Sequence, residues 1–208
     1  YLTHYLNDSA NDPVMNRIRA QKLRNSEEDK VKIFFVPSYL NGDDGVLNMP
    51  YYDLLVGMDL TAFPSYYEPW GYTPLESLAF KVPTITTTLA GFGLWVKEHY
   101  NMNHPGIEVI HREDGDASNV ATAIAEWVKN YTQVGETEMQ KDRDNAKDVS
   151  RIALWENLIN YYKQAYTIAL NQVSVRLKDL PANMNESVSY IEKQLTVNNP
   201  SWVSVMIH

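Results

Sequence analysis

The chain has 208 residues, 44% of them hydrophobic, enough for one large domain or for one and a half average ones. Its 26 acidic residues against 18 basic ones leave a formal charge of -8, which argues against nucleic acid or an anionic membrane surface as the main partner. No cysteine is present, which excludes disulfides, thiolate zinc sites and a cysteine nucleophile, and no apolar run approaches the ~20 residues of a membrane span, so a soluble, cytoplasmic setting is expected.

The first element is "NDPVMNRIRAQKLRN", which predicts a helix with Asp12 as N-cap, Pro13 at the first helical position, and Val14 and Ile18 on one face. "KVKIFFVPS", from Lys30 to Ser38, is a short apolar run closed by Pro37, the pattern of a strand buried on both faces. A polar loop follows, "LNGDDGVLNMP"; its "GDDG" lacks the further spaced ligands of a calcium loop and reads as a turn. "YYDLLVGM" predicts a brief helix carrying Tyr51, Leu54 and Leu55, and "DLTAFPS" a second buried strand stopped by Pro64. Then come a helix in "TPLESLAFK", a strand in "VPTITTT", a helix in "GLWVKEHY" and a fourth strand in "GIEVIHR".

The periodicity of "SNVATAIAEWVKNY" sets Val120, Ala123, Ile124, Trp127, Val128 and Tyr131 along one helical face. Beyond the charged "ETEMQKDRDNAKD", a last helix is expected over about 149–170, with Ile152, Trp155, Ile159 and Tyr162 inward. Strands alternating with helices of this length imply an α/β fold, a Rossmann-like parallel sheet flanked by helices. From residue 173 the pattern fades. The expected organisation is therefore a domain over 1–172 and a C-terminal extension or linker over 173–208.

One stretch asks for a chemical explanation: "FPSYYEPWGYTPLESLAFKVPTITT", from Phe63 to Thr87. In an open parallel sheet, ligands gather outside the carboxyl ends of the strands, and "YYEPWGYTP" is a loop at such an end. Two readings of Glu76 compete. With Thr73 as N-cap and Pro74 at the first helical position, Glu76 completes a capping box and serves only a backbone N–H. Alternatively, Gly71, Tyr72 and Thr73 present N–H groups and a helix dipole to a phosphate, while Glu68 and Glu76 accept sugar hydroxyls. Glu68 has the weaker structural excuse, since an acid placed ahead of Pro69 gains nothing from packing.

"FPSYYEPWGYTPLES", followed by "LAGFG", resembles the donor-binding segment of the eukaryotic type of glycogen synthase. The resemblance extends through "THYLNDSANDPVMNRIRAQKLRN", "KVKIFFVPSYLNG" and "YYDLLVGMDLTAFPS", so it runs from about residue 3 to residue 170. Such enzymes are retaining glycosyltransferases of the two-domain GT-B architecture, and the chain would be a truncated C-terminal half. The resemblance implies that Glu68 is the catalytic-site acid, anchoring the C3 and C4 hydroxyls of the transferred glucose. It places Glu76 on the donor's ribose hydroxyls, Trp70, Gly71, Tyr72 and Thr73 around the glucose and diphosphate, and Tyr39 and Tyr51 around the uracil ring.

The reaction so implied is transfer of glucose from UDP-glucose to the non-reducing end of an α-1,4-glucan, with ADP-glucose left open as donor and with no cofactor or metal. The implied partners are the nucleotide sugar, the glucan acceptor and an N-terminal GT-B domain missing from this chain, with homo-oligomer formation left open. The Arg and Lys that grip the diphosphate in such enzymes fall before Tyr1, so the 208 residues alone are expected to be inactive. The acids interspersed through "EMQKDRDNAKDVSRIALWENL" suit a phosphate dianion poorly, which implies no activation by glucose 6-phosphate. Two alternatives stay open: the donor domain of a sucrose or trehalose-phosphate synthase type of enzyme, and a non-catalytic nucleotide-sugar-binding module.

Overall fold

A computed structural model describes residues 2–100 and 106–178, and the chain divides into two compact units, 1–150 and 151–208. The first unit opens with α1 (Pro13–Ala20), where the Asp12 carboxylate accepts from the Met15 N–H at 2.8 Å and Pro13 opens the helix. Met15 and Ile18 form its buried stripe, three residues apart on one face, while Val14 is exposed instead of inward.

Three short strands, β1 (Thr61–Ala62), β2 (Thr84–Thr87) and β3 (Ile107–Ile110), make a parallel sheet in the order β1-β2-β3. Helices α2 (Tyr51–Leu55), α3 (Tyr72–Ala79), α4 (Gly91–His99), α5 (Ala117–Tyr131) and α6 (Glu136–Ile152) surround it. Side chains alternate across a strand, and that alternation sorts the helices onto the two faces. Thr84 bonds the Thr61 hydroxyl at 2.9 Å, which in turn bonds Ser77 of α3 at 2.7 Å. The bare Cα of Gly93 lets α4 lie against Thr86 and Val109 on the same side. On the other side Ile85 and Ile110 meet Val120 of α5, with Leu60, Ala123, Ile124 and Trp127 packed around them.

Helix α6 ties down the amino ends of the strands, opposite the ligand-binding edge of such a sheet. Arg143 donates to the Met58 carbonyl and to the Asp59 carboxylate, each at 3.0 Å, just ahead of β1. Lys81, just ahead of β2, pairs with Asp144 at 2.8 Å.

Among the described residues the sheet has three strands and not four. The expected strand over 30–38 does not form: Phe35 makes a single parallel bridge to Leu2, with the Thr3 N–H donating to the Phe35 carbonyl at 3.0 Å. Val31 and Phe34 are exposed, because among the described residues no strand lies beside this run to complete a ladder. On α5, Val120 and Tyr131 are buried and Val128 is exposed, since the inward stripe is narrower than the apolar one.

The second unit holds α7 (Trp155–Lys178). The single late helix expected over 149–170 is two, separated at Ala153 and Leu154, and Trp155 and Tyr162 are exposed instead of inward. Residue 173, where an extension was expected to begin, lies within α7, and 179–208 lie outside the described residues.

Candidate functional site

The loop from β1 to α3 and the loop from β2 to α4 both leave the carboxyl edge of the sheet, and backbone hydrogen bonds lace them together. The Glu68 N–H donates to the Leu89 carbonyl at 3.1 Å, the Gly91 N–H to the Glu68 carbonyl at 3.0 Å, and the Phe92 N–H to the Trp70 carbonyl at 2.6 Å. This close approach requires glycine at 91, where a Cβ would collide with the Pro69 carbonyl oxygen. Below the loop, the Thr87 hydroxyl donates to the Ser65 carbonyl at 2.7 Å, and Arg112, at the end of β3, donates to the Pro64 carbonyl at 2.7 Å. The Arg112 guanidinium also lies over the Tyr66 ring at 5.1 Å. The main chain of Glu68 is thus fixed, while its carboxylate stays exposed with no hydrogen-bond or ionic partner among the described residues.

Helix α3 starts two residues earlier than a Thr73 cap would allow. Gly71 occupies the N-cap position in a left-handed conformation, φ 99 and ψ 80, and supplies no side chain to the helix start. Thr73 and Pro74 then sit inside the first turn, so the capping box does not form and Glu76 is not consumed by it. The N–H groups of Tyr72 and Thr73 are left without an acceptor among the described residues, at the positive end of the helix dipole. A Cβ on Gly71 would stand 3.2 Å from the Glu68 side chain, so the same residue that opens the helix also leaves room for the acid.

Glu76, half-buried in the last turns of α3, faces the two tyrosines that open α2. The Glu76 charge, the largest cause, holds the Tyr52 hydroxyl above the ordinary phenol range. For Tyr51 burial is the main cause of an upward shift, with the Glu76 charge second. Tyr51 also stands on the wall of an apolar cleft of about 230 Å³, with Leu54, Leu55, Met58, Leu60 and Phe63.

The 41–50 loop closes on itself through the Tyr51 N–H, which donates to the Leu40 carbonyl at 3.0 Å, and an Asn41 to Pro50 bridge. Asp44 is its hub: the carboxylate accepts from the N–H groups of Val46, Leu47 and Asn48 and from His4, at 2.7–3.0 Å. That is the turn expected of "GDDG". The closure sets Tyr39 and Tyr51 on either side of one loop, with the Tyr39 ring 95% exposed.

A family model described as glycogen synthase matches residues 1–206. The chain belongs to the glycogen synthase family. It is 31% identical to glycogen [starch] synthase isoform 1 of Saccharomyces cerevisiae over 174 residues, which are 82% of this chain and 25% of that protein. It is 32% identical to the glycogen [starch] synthase of Caenorhabditis elegans over 195 residues, 92% of this chain and 28% of that one. It is 31% identical to the liver glycogen [starch] synthase of Mus musculus over 171 residues, 82% of this chain and 24% of that one. The chain therefore spans about a quarter of the length of the curated relatives it matches.

Of the residues that the glycogen synthase resemblance singled out, Glu68, Trp70, Gly71, Tyr72 and Thr73 lie on one continuous turn at the carboxyl edge. The Trp70 ring packs onto α4, 5.6 Å from both Phe92 and Trp95, so the rim of the turn there is its backbone. Glu76 and Tyr51 meet across α2 and α3, and no ring contact joins Tyr39 to Tyr51. Sequence reasoning missed Tyr52, Arg112 and Thr87, each of which acts across tens of residues of chain. Only Gly91 left a local trace, in "LAGFG".

Proposed function

We propose that this chain is the donor-binding part of a glycogen synthase, which transfers glucose from UDP-glucose to the non-reducing end of an α-1,4-glucan with retention. The observation that carries this reading is the state of Glu68: a backbone clamped on both sides by the neighbouring loop, and a carboxylate left open to solvent. A free acid on a fixed turn suits a diol, since its two oxygens take two hydroxyl hydrogens in charge-assisted bonds. Beside it, the unpartnered N–H groups at the start of α3 suit the diphosphate, whose charge grows as it departs.

In this reading Glu68 holds the glucose, Glu76 the ribose, the turn from Trp70 to Thr73 the diphosphate, and Tyr51 and Tyr39 the base. The chemistry asked of these groups is hydroxyl recognition and charge stabilisation, which calls on no resident cofactor. A cytoplasmic setting fits a chain without cysteine, and among the described residues no helix is long and apolar enough to cross a membrane.

Glucan extension by the full-length protein tests the assignment. With UDP-glucose as donor, Glu68→Gln is expected to lower kcat by about 10²-fold or more, the scale of losing one group that stabilises the transition state. A variant that keeps wild-type kcat would remove Glu68 from the reaction. Replacing UDP-glucose by ADP-glucose in the same assay decides the base.

A further inference from the structure

Between β1 and Glu68 the chain crosses a span that backbone hydrogen bonds do not hold. The Phe63 N–H makes the last rung, to the Ile85 carbonyl at 2.8 Å, and Pro64, with no N–H, stops the ladder. From 64 to 67, among the described residues, no main-chain group bonds the main chain of another element. Side chains hold the span instead. The Thr87 hydroxyl donates to the Ser65 carbonyl at 2.7 Å, and Arg112 Nη1 donates to the Pro64 carbonyl at 2.7 Å and to the Ser65 carbonyl at 3.3 Å. The same guanidinium lies over the Tyr66 ring at 5.1 Å, and the Tyr66 hydroxyl donates to Asp114 at 2.9 Å.

We propose that Arg112 is a positioning residue: reaching from the end of β3 to the Pro64 and Ser65 carbonyls and to the Tyr66 ring, it sets where the β1–α3 loop presents the Glu68 carboxylate to the hexose. This deepens the donor-site reading and rests on its assignment of Glu68 to the glucose.

Arg112 stands on a firm base. Its N–H donates to the Thr88 hydroxyl at 3.0 Å, and the Thr88 N–H donates to the Ile110 carbonyl at 3.0 Å, so it is tied to the β2–β3 ladder. The backbone clamps on Glu68 itself come from Leu89 and Gly91, which belong to a neighbouring loop. Arg112 adds the tie from loop to strand that a precisely held site needs. Arginine suits the task because one terminal nitrogen carries two hydrogens in a fixed plane and reaches two successive carbonyls. With the ring contact, one side chain grips three consecutive residues, 64, 65 and 66, two short of the acid. Among the described residues Arg112 Nε is buried without an acceptor, so Nη1 and the ring contact carry this engagement.

The test compares affinities for UDP-glucose and for UDP in the full-length protein and in Arg112→Lys, Arg112→Gln, Glu68→Gln and the double variant Arg112→Gln with Glu68→Gln. Lysine keeps the charge but ends one atom short of Nη1. The preference for UDP-glucose over UDP is expected to fall on the order of five-fold in both Arg112 variants, the scale of one hydrogen bond, with UDP bound as before. The double variant is expected to fall no further than Glu68→Gln alone. A purely structural role for the arginine would weaken both ligands equally and leave the ratio unmoved.

If Glu68→Gln lowers the preference while both Arg112 variants keep it, the proposal is overturned and the assignment of Glu68 stands. If UDP loses affinity as much as UDP-glucose, the arginine serves the diphosphate or the fold at large, and positioning is wrong. Positioning is equally wrong if lysine restores the wild-type preference, since charge alone then suffices, or if the losses multiply in the double variant. If Glu68→Gln leaves the preference intact, the glucose assignment fails, and this proposal with it.

Discussion

The two acids of the turn differ in how the protein treats them. Glu68 is fixed through its backbone and free at its carboxylate; Glu76 is half-buried on a helix, with its charge beside Tyr51 and Tyr52. A third acid, Asp44, is wholly structural. The Leu47 N–H, followed by the Val46 N–H, His4 and the Asn48 N–H, lowers its pKa from 3.8 to about 2. A carboxyl whose folded pKa lies below its unfolded value stabilises fully above the unfolded one and loses that contribution as pH falls through the folded one. Stability is therefore expected to drop as the solution is acidified from 3.8 toward about 2. Urea midpoints measured across that window in wild type and in Asp44→Asn check this. The variant should be less stable at neutral pH and show a shallower acid limb; parallel curves would contradict the assignment.

At the scale of elements, the site is two βα loops held against one another, and Gly91 is where they touch. A methyl group there collides with the Pro69 carbonyl and must push the β1–α3 loop off the start of α4. Gly91→Ala is expected to lower unfolding stability by about 1–3 kcal/mol, as overpacking does, and to weaken UDP-glucose binding through the displaced Glu68. Denaturant titration with a binding isotherm on the same preparation reads both; an unchanged pair of values would mean that the loops are not coupled.

What could be read from the sequence follows the same division. Helices with strong local signals, such as α1 with Asp12 and Pro13, were legible because cap and stripe lie within a few residues. The start of α3 was misassigned because Gly71, in a left-handed conformation, opens the helix before Thr73 can cap it. The apolar run over 30–38 carried a true strand pattern without forming a ladder, since a strand depends on neighbours that no local pattern encodes. The positions of Glu68 and Gly71 were legible from one loop motif. The approach of Tyr52 to Phe80, beside Glu76, was not, because it joins two helices more than twenty residues apart in the chain.

For the whole molecule, the two edges of the sheet divide the work. The amino edge is anchored by α6 through Arg143 and Asp144, and the carboxyl edge carries the turn with its exposed acid and its open helix start. This separation lets the acid stay unpaired, since the packing that stabilises the unit is made elsewhere. The central claim is that Glu68 grips the hexose and not the nucleotide. Calorimetric titration of the full-length protein with UDP-glucose and with UDP, for wild type and Glu68→Gln, tests it most directly. The account predicts that the variant loses affinity for UDP-glucose by about ten-fold, the worth of a charge-assisted hydrogen bond, while UDP binds as before. Equal losses for both ligands, or none for either, would contradict it.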